Sequence, residues 1–368
     1  MIRVLHAISD ANIGGAGVQM LALLSGLCRR EFELMAVVPE GSLLLPRILE
    51  TGVRCAEAPH LASRTFSARA VLPLRRQIKA FAPDIVHAHA AMSARVAARL
   101  CGRCRIVNTR HSVFPPTGRQ LLMRPLAGAV DRLLGDAVIA VSGAARDNLA
   151  RLGIAGPRVR VVHNGVDTAK FAFSQAMRDE ARAELGAGGP DLLLGHAGRF
   201  SPEKNHFFLL EVLRAVRGME GYGNARLALA GTGPLLDEAR RRADGMGLRA
   251  AALFLGQRDD MARLYSAFDV FLMPSAAEGF GLAAAEAQCS GLPCILSDAV
   301  PRAVDCGGSV FLPPVSPEFW AAAVASAARA GPGFRADGAR RVTDSGLDCR
   351  TMCRGTAEVY RRLMSMSG

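Results

Sequence analysis

The sequence predicts two α/β domains in tandem, each built on a doubly wound parallel sheet. The observations behind this are the 368-residue length, an alternation of short apolar runs with helical periodicity, and a restart of that alternation midway. Such a length suits two domains of about 150–200 residues. Half of the residues are hydrophobic and 21% are charged, so each domain can bury a core.

In the first half, β-branched and apolar runs predict strands at 2–8, 33–38, 53–57, 84–88, 105–109, 136–141 and 159–162. Helical periodicity fills the gaps at 18–30, 67–82, 92–101, 118–134 and 142–151. Strand–helix–strand alternation is the pattern of a parallel sheet. Asp191-Leu-Leu-Leu-Gly-His196 restarts it, with strands near 225–230, 252–255, 268–273, 293–296 and 309–312. Turn residues cluster at His163-Asn164-Gly165-Val166-Asp167 and mark the boundary. The expected domains are 1–165 and 166–345, with an amphipathic terminal segment over 346–368. Ligands of open α/β sheets bind outside the C-terminal ends of the strands. The functional loops should therefore follow strands, at a cleft between the two domains.

Composition excludes several classes. Nine scattered cysteines, an odd number, argue against a disulfide framework and for a reducing compartment. Cys101 with Cys104 and Cys349 with Cys353 lie too far apart, without nearby histidines, to form a zinc ribbon, and no metal site is expected. The segment Met1–Ile8 is too short and interrupted for a signal peptide. No apolar run reaches the roughly 18 residues of a spanning helix. The expectation is a cytoplasmic protein, with peripheral attachment at the inner face of the membrane. Residues 1–170 hold 23 Lys/Arg against 11 Asp/Glu, while 171–368 hold 22 of each. All of the +12 net charge thus sits in the first half, which points to an anionic partner there. Without a zinc finger, an RNA-binding signature or an aromatic-rich basic stripe, nucleic acid is not that partner.

Four loops carry chemistry. Gly14-Gly15-Ala16-Gly17 follows the first strand. It reads as a phosphate or sugar loop, as the start of a dinucleotide fingerprint whose third glycine is replaced by Met20, or as a plain turn. Gly198-Arg199-Phe200-Ser201-Pro202-Glu203-Lys204 follows the first strand of the second half. Two cations beside a helix start can hold a diphosphate, or can be ordinary surface charges. Gly231-Thr232-Gly233-Pro234 is either a close backbone approach to a ligand or a left-handed turn before a Pro-initiated helix. Pro274-Ser-Ala-Ala-Glu278-Gly279-Phe280-Gly281-Leu282-Ala-Ala-Ala-Glu286 sets one carboxylate before a helix and another eight residues on, within it. Glu286, embedded among alanines, needs a hydrogen-bonding partner.

This combination, in this order, resembles the retaining GT-B glycosyltransferases of family 4 along nearly the whole chain. The matching elements are Glu278-x7-Glu286, the Arg199/Lys204 loop, Gly231-x-Gly233-Pro234 and Asn164-Gly165-Val166-Asp167. The resemblance implies transfer of a sugar from a UDP- or GDP-sugar to a polysaccharide-precursor or lipid-linked acceptor, with retention and without a metal or other cofactor. Arg199 and Lys204 would bind the diphosphate and stabilise the leaving group. Glu286 would take the ribose hydroxyls and Glu278 the donor sugar. The backbone of Gly279, Phe280, Gly281 and Leu282 would meet phosphates or sugar, with Gly14 and Gly15 closing from the first domain. Gln257 and Arg258 would edge the base through their backbone. His111, after the strand 105–109, would contact the transferred sugar, whereas His87 and His89 read as structural. Where many relatives carry an acid this chain has Gly17, so only the turn is expected there. The resemblance also implies that the last helix crosses back to the first domain. A GT-B epimerase, a phosphorylase, a nicotinamide dehydrogenase and a non-catalytic sugar-nucleotide-binding subunit are the competing readings.

On the acceptor side, Arg64, Arg69, Arg75, Arg76 and Lys79 accompany Phe66, Val71, Leu72, Leu74, Ile78 and Phe81. They form a basic amphipathic helix, kinked or broken at Pro73, that packs on its own domain or lies on an anionic membrane.

Overall fold

The computed structural model describes all residues except 63–65, 112, 114–115, 189–190, 330–331 and 367–368. The chain divides into two compact units, Met1–Gly165 with Cys349–Gly368, and Val166–Asp348.

The first unit is a seven-stranded sheet: β1 (Ile2–Ile8), β2 (Phe32–Pro39), β3 (Arg54–Ala58), β4 (Ile85–His89), β5 (Arg105–Arg110), β6 (Ala137–Ala140) and β7 (Val159–Val161). Its order is β3-β2-β1-β4-β5-β6-β7, all parallel. Both faces are covered, as parallel sheets require. Val4, Ile8, Ile85 and Val107 point to one face, under the helices Gly15–Gly26 and Cys349–Ser365. Leu5, Ala7, Val86 and Ala88 point to the other, under Ala68–Phe81 and Met92–Cys101. Gln19 pins the end of the unit by bonding the Gly165 backbone twice, its Nε2 donating to the carbonyl at 3.0 Å and its Oε1 accepting from the amide at 2.9 Å.

The second unit is a six-stranded parallel sheet: β8 (Leu193–Ala197), β9 (Arg226–Ala230), β10 (Ala252–Gly256), β11 (Val270–Met273), β12 (Cys294–Leu296) and β13 (Ser309–Phe311), in the order β10-β9-β8-β11-β12-β13. Leu194, Leu227, Leu229, Val270 and Trp320 centre one core face. Val166 and Asp348 bridge where the chain enters and leaves the unit.

Two sequence expectations change. The helix expected over 118–134 is two helices, Gly118–Leu122 and Arg124–Leu133. Pro125, without an N–H, cannot continue the first and instead sits in the first turn of the second. The first is started by a capping box between Thr117 and Gln120. Conversely, Ala68–Phe81 runs unbroken through Pro73, whose missing N–H costs it one intrahelical bond. Its apolar residues Ala70, Leu74, Ile78 and Phe81 are buried in the first unit. Of the two readings the sequence left open, packing on its own domain is therefore the one adopted by this stripe, which cannot both fill the core and face lipid. Arg69, Arg76 and Lys79 remain exposed, and Arg64 lies outside the described residues.

Candidate functional site

In the second unit, four loops leave the C-terminal ends of four adjacent strands, β10, β9, β8 and β11. The strand order reverses between β8 and β11, the place where open sheets bind ligands. The loop after β8 carries Arg199 and Lys204, and the loop after β11 carries Glu278. The structure brings these loops together: the Lys204 ammonium donates to the Glu278 carboxylate, and the Ala276 amide donates to the Glu203 carbonyl at 2.8 Å. Lys204 and Glu278 are mostly shielded from solvent, while Arg199 is exposed. Asn205 adopts a left-handed conformation (φ 55°) and turns the short helix Pro202–Lys204 into His206–Arg217. Asparagine tolerates this region better than most side chains.

Gly281 is also left-handed (φ 94°) and caps the helix Leu282–Cys289. Amides in the first turn of that helix have no carbonyl behind them and can meet an anion. The Phe280 side chain is buried, so only its backbone can serve the site. One turn into the helix, Glu286 accepts a hydrogen bond from the Tyr265 hydroxyl at 3.0 Å. Burial pushes its carboxyl up to about 7, against the opposing effects of Tyr265 and of the Lys170 charge. A carboxyl held there, with one oxygen engaged, is poised to accept hydroxyl donors.

The glycines fall into two kinds. A Cβ on Gly231 would lie 2.0 Å from the Gly198 carbonyl oxygen, and one on Gly233 2.4 Å from that of Phe200. Both residues have positive φ, 139° and 155°. Backbone contact between these two loops therefore dictates both glycines by itself. Gly15 differs, because a Cβ there would meet nothing within 4 Å. The fold does not demand a glycine at that place, which leaves room for close approach of a ligand. Gly14 begins the same helix, its Cβ direction 3.3 Å from an Asp10 carboxylate oxygen. Gly17 is enforced by Leu44, 2.9 Å from where a Cβ would stand.

Gln257 is exposed after β10, whereas the Arg258 guanidinium is committed to Asp260 at 2.6–2.7 Å and to Glu184 at 2.9 Å. Its side chain therefore braces the loop.

In the first unit, His111 follows β5 and belongs to a buried row that the sequence did not announce. His6, His87, His89, Thr109 and His111 share one sheet face, brought into line by the pairings His6↔His87 and His89↔Thr109. Tyr360, from the terminal helix, closes over them. Burial pushes the histidines down, His6 to about 3 and His111 to about 4, so the rings are neutral. A small cavity lies against His89, Thr109 and His111, with Gln19, Asn164 and Thr356 on its wall. A larger one, about 460 Å³, lies at the opposite strand ends, by Arg105, Asp136 and Arg158. Period-2 spacing in His87-Ala-His89 was the available signal for the row; Tyr265 and Tyr360 had none, because each reaches its partner through tertiary packing.

Two Rossmann-like units with this loop set define a GT-B enzyme of nucleotide-activated sugars. Family models agree: Glycosyltransferase Family 4 matches residues 13–170, and Glycosyl transferases group 1 matches 191–329. The chain is 32% identical to EpsF of Bacillus subtilis over 89% of its own length and 88% of that protein's. It is 29% identical to the Escherichia coli UDP-Gal:alpha-D-GlcNAc-diphosphoundecaprenol alpha-1,3-galactosyltransferase, with 77% and 79% covered. Among solved structures, Anabaena HepE in complex with UDP-glucose superposes with a TM-score of 0.83 at 18% identity, covering 99% of this chain and 100% of that one. The chain belongs to the family 4 glycosyltransferases, and its activity is glycosyl transfer.

Proposed function

We propose that the protein transfers a sugar from a nucleoside diphosphate sugar, UDP ahead of GDP, to a lipid-linked or polysaccharide-precursor hydroxyl, with retention and without a divalent metal. The Lys204–Glu278 pairing carries this reading. It sets a cation and a carboxylate side by side at the strand-order reversal, with Arg199 exposed on the same loop, and these would serve the diphosphate and the donor sugar. As the glycosidic bond breaks, negative charge grows on the leaving diphosphate. Arg199, Lys204 and the amides after Gly281 would stabilise it, a task for which fixed cations suffice. Glu286 would accept from the ribose hydroxyls. UDP is favoured because the Escherichia coli relative is named for UDP-Gal and HepE was solved with UDP-glucose. Mycobacterial relatives named for GDP-mannose keep the second base in view. Binding and hydrolysis across UDP-, GDP- and ADP-sugars test the reading. Selective turnover of one UDP-sugar supports it, and activity that needs a divalent ion or prefers GDP-sugars overturns the corresponding clause.

A lipid-linked acceptor calls for a surface that meets lipid, and the exposed face of Gly118–Leu122 and Arg124–Leu133 would supply one. Leu122, Leu126 and Leu133 are 81%, 54% and 64% exposed, with Arg119, Arg124 and Arg132 beside them. The opposite side is fixed by Asp131, buried between Arg95 and Arg158 at 2.7 and 2.6 Å. Apolar side chains held outward among cations suit an anionic membrane surface.

A further inference from the structure

We propose that Tyr360 sets the tautomer of His111 through a chain of buried histidines, so that His111 carries its proton on Nε2 and keeps Nδ1 as a lone pair, an acceptor for a hydroxyl donor. The role given to His111 rests on the function proposed above; the chain itself does not.

The links are continuous. The Tyr360 hydroxyl is 2.6 Å from His87 Nδ1 and 3.5 Å from His6 Nε2. His6 Nδ1 is 3.1 Å from His89 Nε2, and His89 Nδ1 is 3.1 Å from His111 Nε2. At the other end, His87 Nε2 is 2.6 Å from Thr109 Oγ1. A neutral imidazole has one N–H and one lone pair, so along His6, His89 and His111 the direction of one bond dictates the others. Two arrangements of these three rings exist. In the first, Tyr360 donates to His87 and its oxygen accepts from His6 Nε2–H. His6 Nδ1 then accepts from His89 Nε2–H, and His89 Nδ1 accepts from His111 Nε2–H, which leaves His111 Nδ1 an acceptor. In the second, every bond reverses and His111 carries Nδ1–H.

Two observations select the first. The phenol, a good donor and poor acceptor, makes its short bond to His87 and its long one to His6. In addition, His111 Nδ1 is buried with no hydrogen-bond partner among the described residues. A buried N–H without a partner is a rarer state than an unsatisfied acceptor. His6, His87 and His89 also place ligating atoms within 4.8 Å of one another. However, the chain already engages every ring nitrogen of the three, and a metal would have to break it. Tyr360 is therefore a positioning residue, acting on His111 through His6 and His89.

Long-range proton–nitrogen spectra of the full chain, labelled with 15N-histidine, read each ring's tautomer. His111, assigned from its missing signals in His111→Gln, is expected as Nε2–H. Tyr360→Phe keeps the ring packing and removes the oxygen that accepts from His6 Nε2–H, so both His111 nitrogens should move toward the tautomer average. Donor hydrolysis should fall about tenfold in kcat with KM within about twofold. Thr109→Val, a second variant at the other end of the chain, should move the His111 signals in the same sense. An Nδ1–H His111 in the parent protein, or His111 signals unmoved by both variants, overturns the proposal. So does uptake of one equivalent of zinc with loss of the tautomer pattern. If the signals move as expected but His111→Gln leaves turnover unchanged, the chain stands and the assigned role of His111 fails.

Discussion

The Tyr265 hydroxyl donates to Glu286 across 3.0 Å, and the carboxyl it meets is pushed by burial up to about 7 from an ordinary 4.5. Because the folded value is the higher one, the protonated form contributes stability in full below about 4.5, and that contribution is lost as pH rises through about 7. Over this window the parent protein should lose on the order of 2 kcal/mol relative to Glu286→Gln. Nucleotide binding should run the opposite way, since ribose hydroxyls need the ionised acceptor. Calorimetry with the free nucleoside diphosphate should show affinity rising from pH 6 to 8 in the parent and flat, weaker binding in Glu286→Gln.

Arg199→Ala and Lys204→Ala should each lower kcat/KM by a few kcal/mol, about 10²- to 10³-fold, without unfolding the protein. Glu278→Gln should lower turnover while leaving affinity for the free nucleoside diphosphate nearly intact. Steady-state kinetics with calorimetry checks all three. Equal loss of nucleotide affinity in Glu278→Gln and Glu286→Gln would refute the separate roles given to the two carboxylates.

Gly231→Ala and Gly15→Ala should fail in different ways. At Gly231 the new Cβ meets a carbonyl oxygen at 2.0 Å and φ is 139°, so a loss of several kcal/mol of stability is expected. At Gly15 the same methyl group meets nothing within 4 Å. The melting temperature should hold while donor turnover drops. Thermal unfolding and an activity assay on the two variants separate a glycine needed by the fold from one needed by a ligand.

Acid should unfold the protein early. His6 and His111, held down at about 3 and 4, and His196 and His206 in the second unit, at about 4 and 2, are kept neutral by burial. Unfolding releases them to their ordinary 6.5 and takes up protons. Their contribution is complete above about 6.5 and is lost as pH falls through the folded values. Denaturant midpoints should drop steadily from pH 7 to pH 5, with net proton uptake on unfolding. His196→Asn, which removes one such group, should shallow the slope by up to one proton.

The exposed leucines of the 118–133 segment should carry membrane binding. Co-sedimentation with vesicles of anionic lipid is expected at low salt and should fade as salt screens the arginines. Leu122→Asp with Leu126→Asp should abolish it at unchanged melting temperature. Arg69→Ala with Arg76→Ala, on the helix whose apolar side is buried, should change it less. Absence of binding at low salt would leave a soluble acceptor.

The sequence by itself determined the strands, the two sheets and the loops that carry Arg199, Lys204, Glu278 and Glu286. Each of these is a local matter: apolar period, turn residues, and cations or carboxylates placed where a strand gives way to a helix. Only the tertiary structure decided what those residues touch. Lys204 and Glu278 are 74 residues apart and meet because β8 and β11 are neighbours in the sheet. Gly231 and Gly233 looked like ligand glycines, yet contact with the loop after β8 already requires them. The Ala68–Phe81 helix could be read as packing on its own domain or on a membrane, because amphipathicity does not say whether an apolar stripe meets lipid or its own sheet. The histidine row depends on the register of β1, β4 and β5 and on a tyrosine 249 residues from His111 in the chain. Register and long-range closure are set by packing the whole unit at once, which no local pattern encodes.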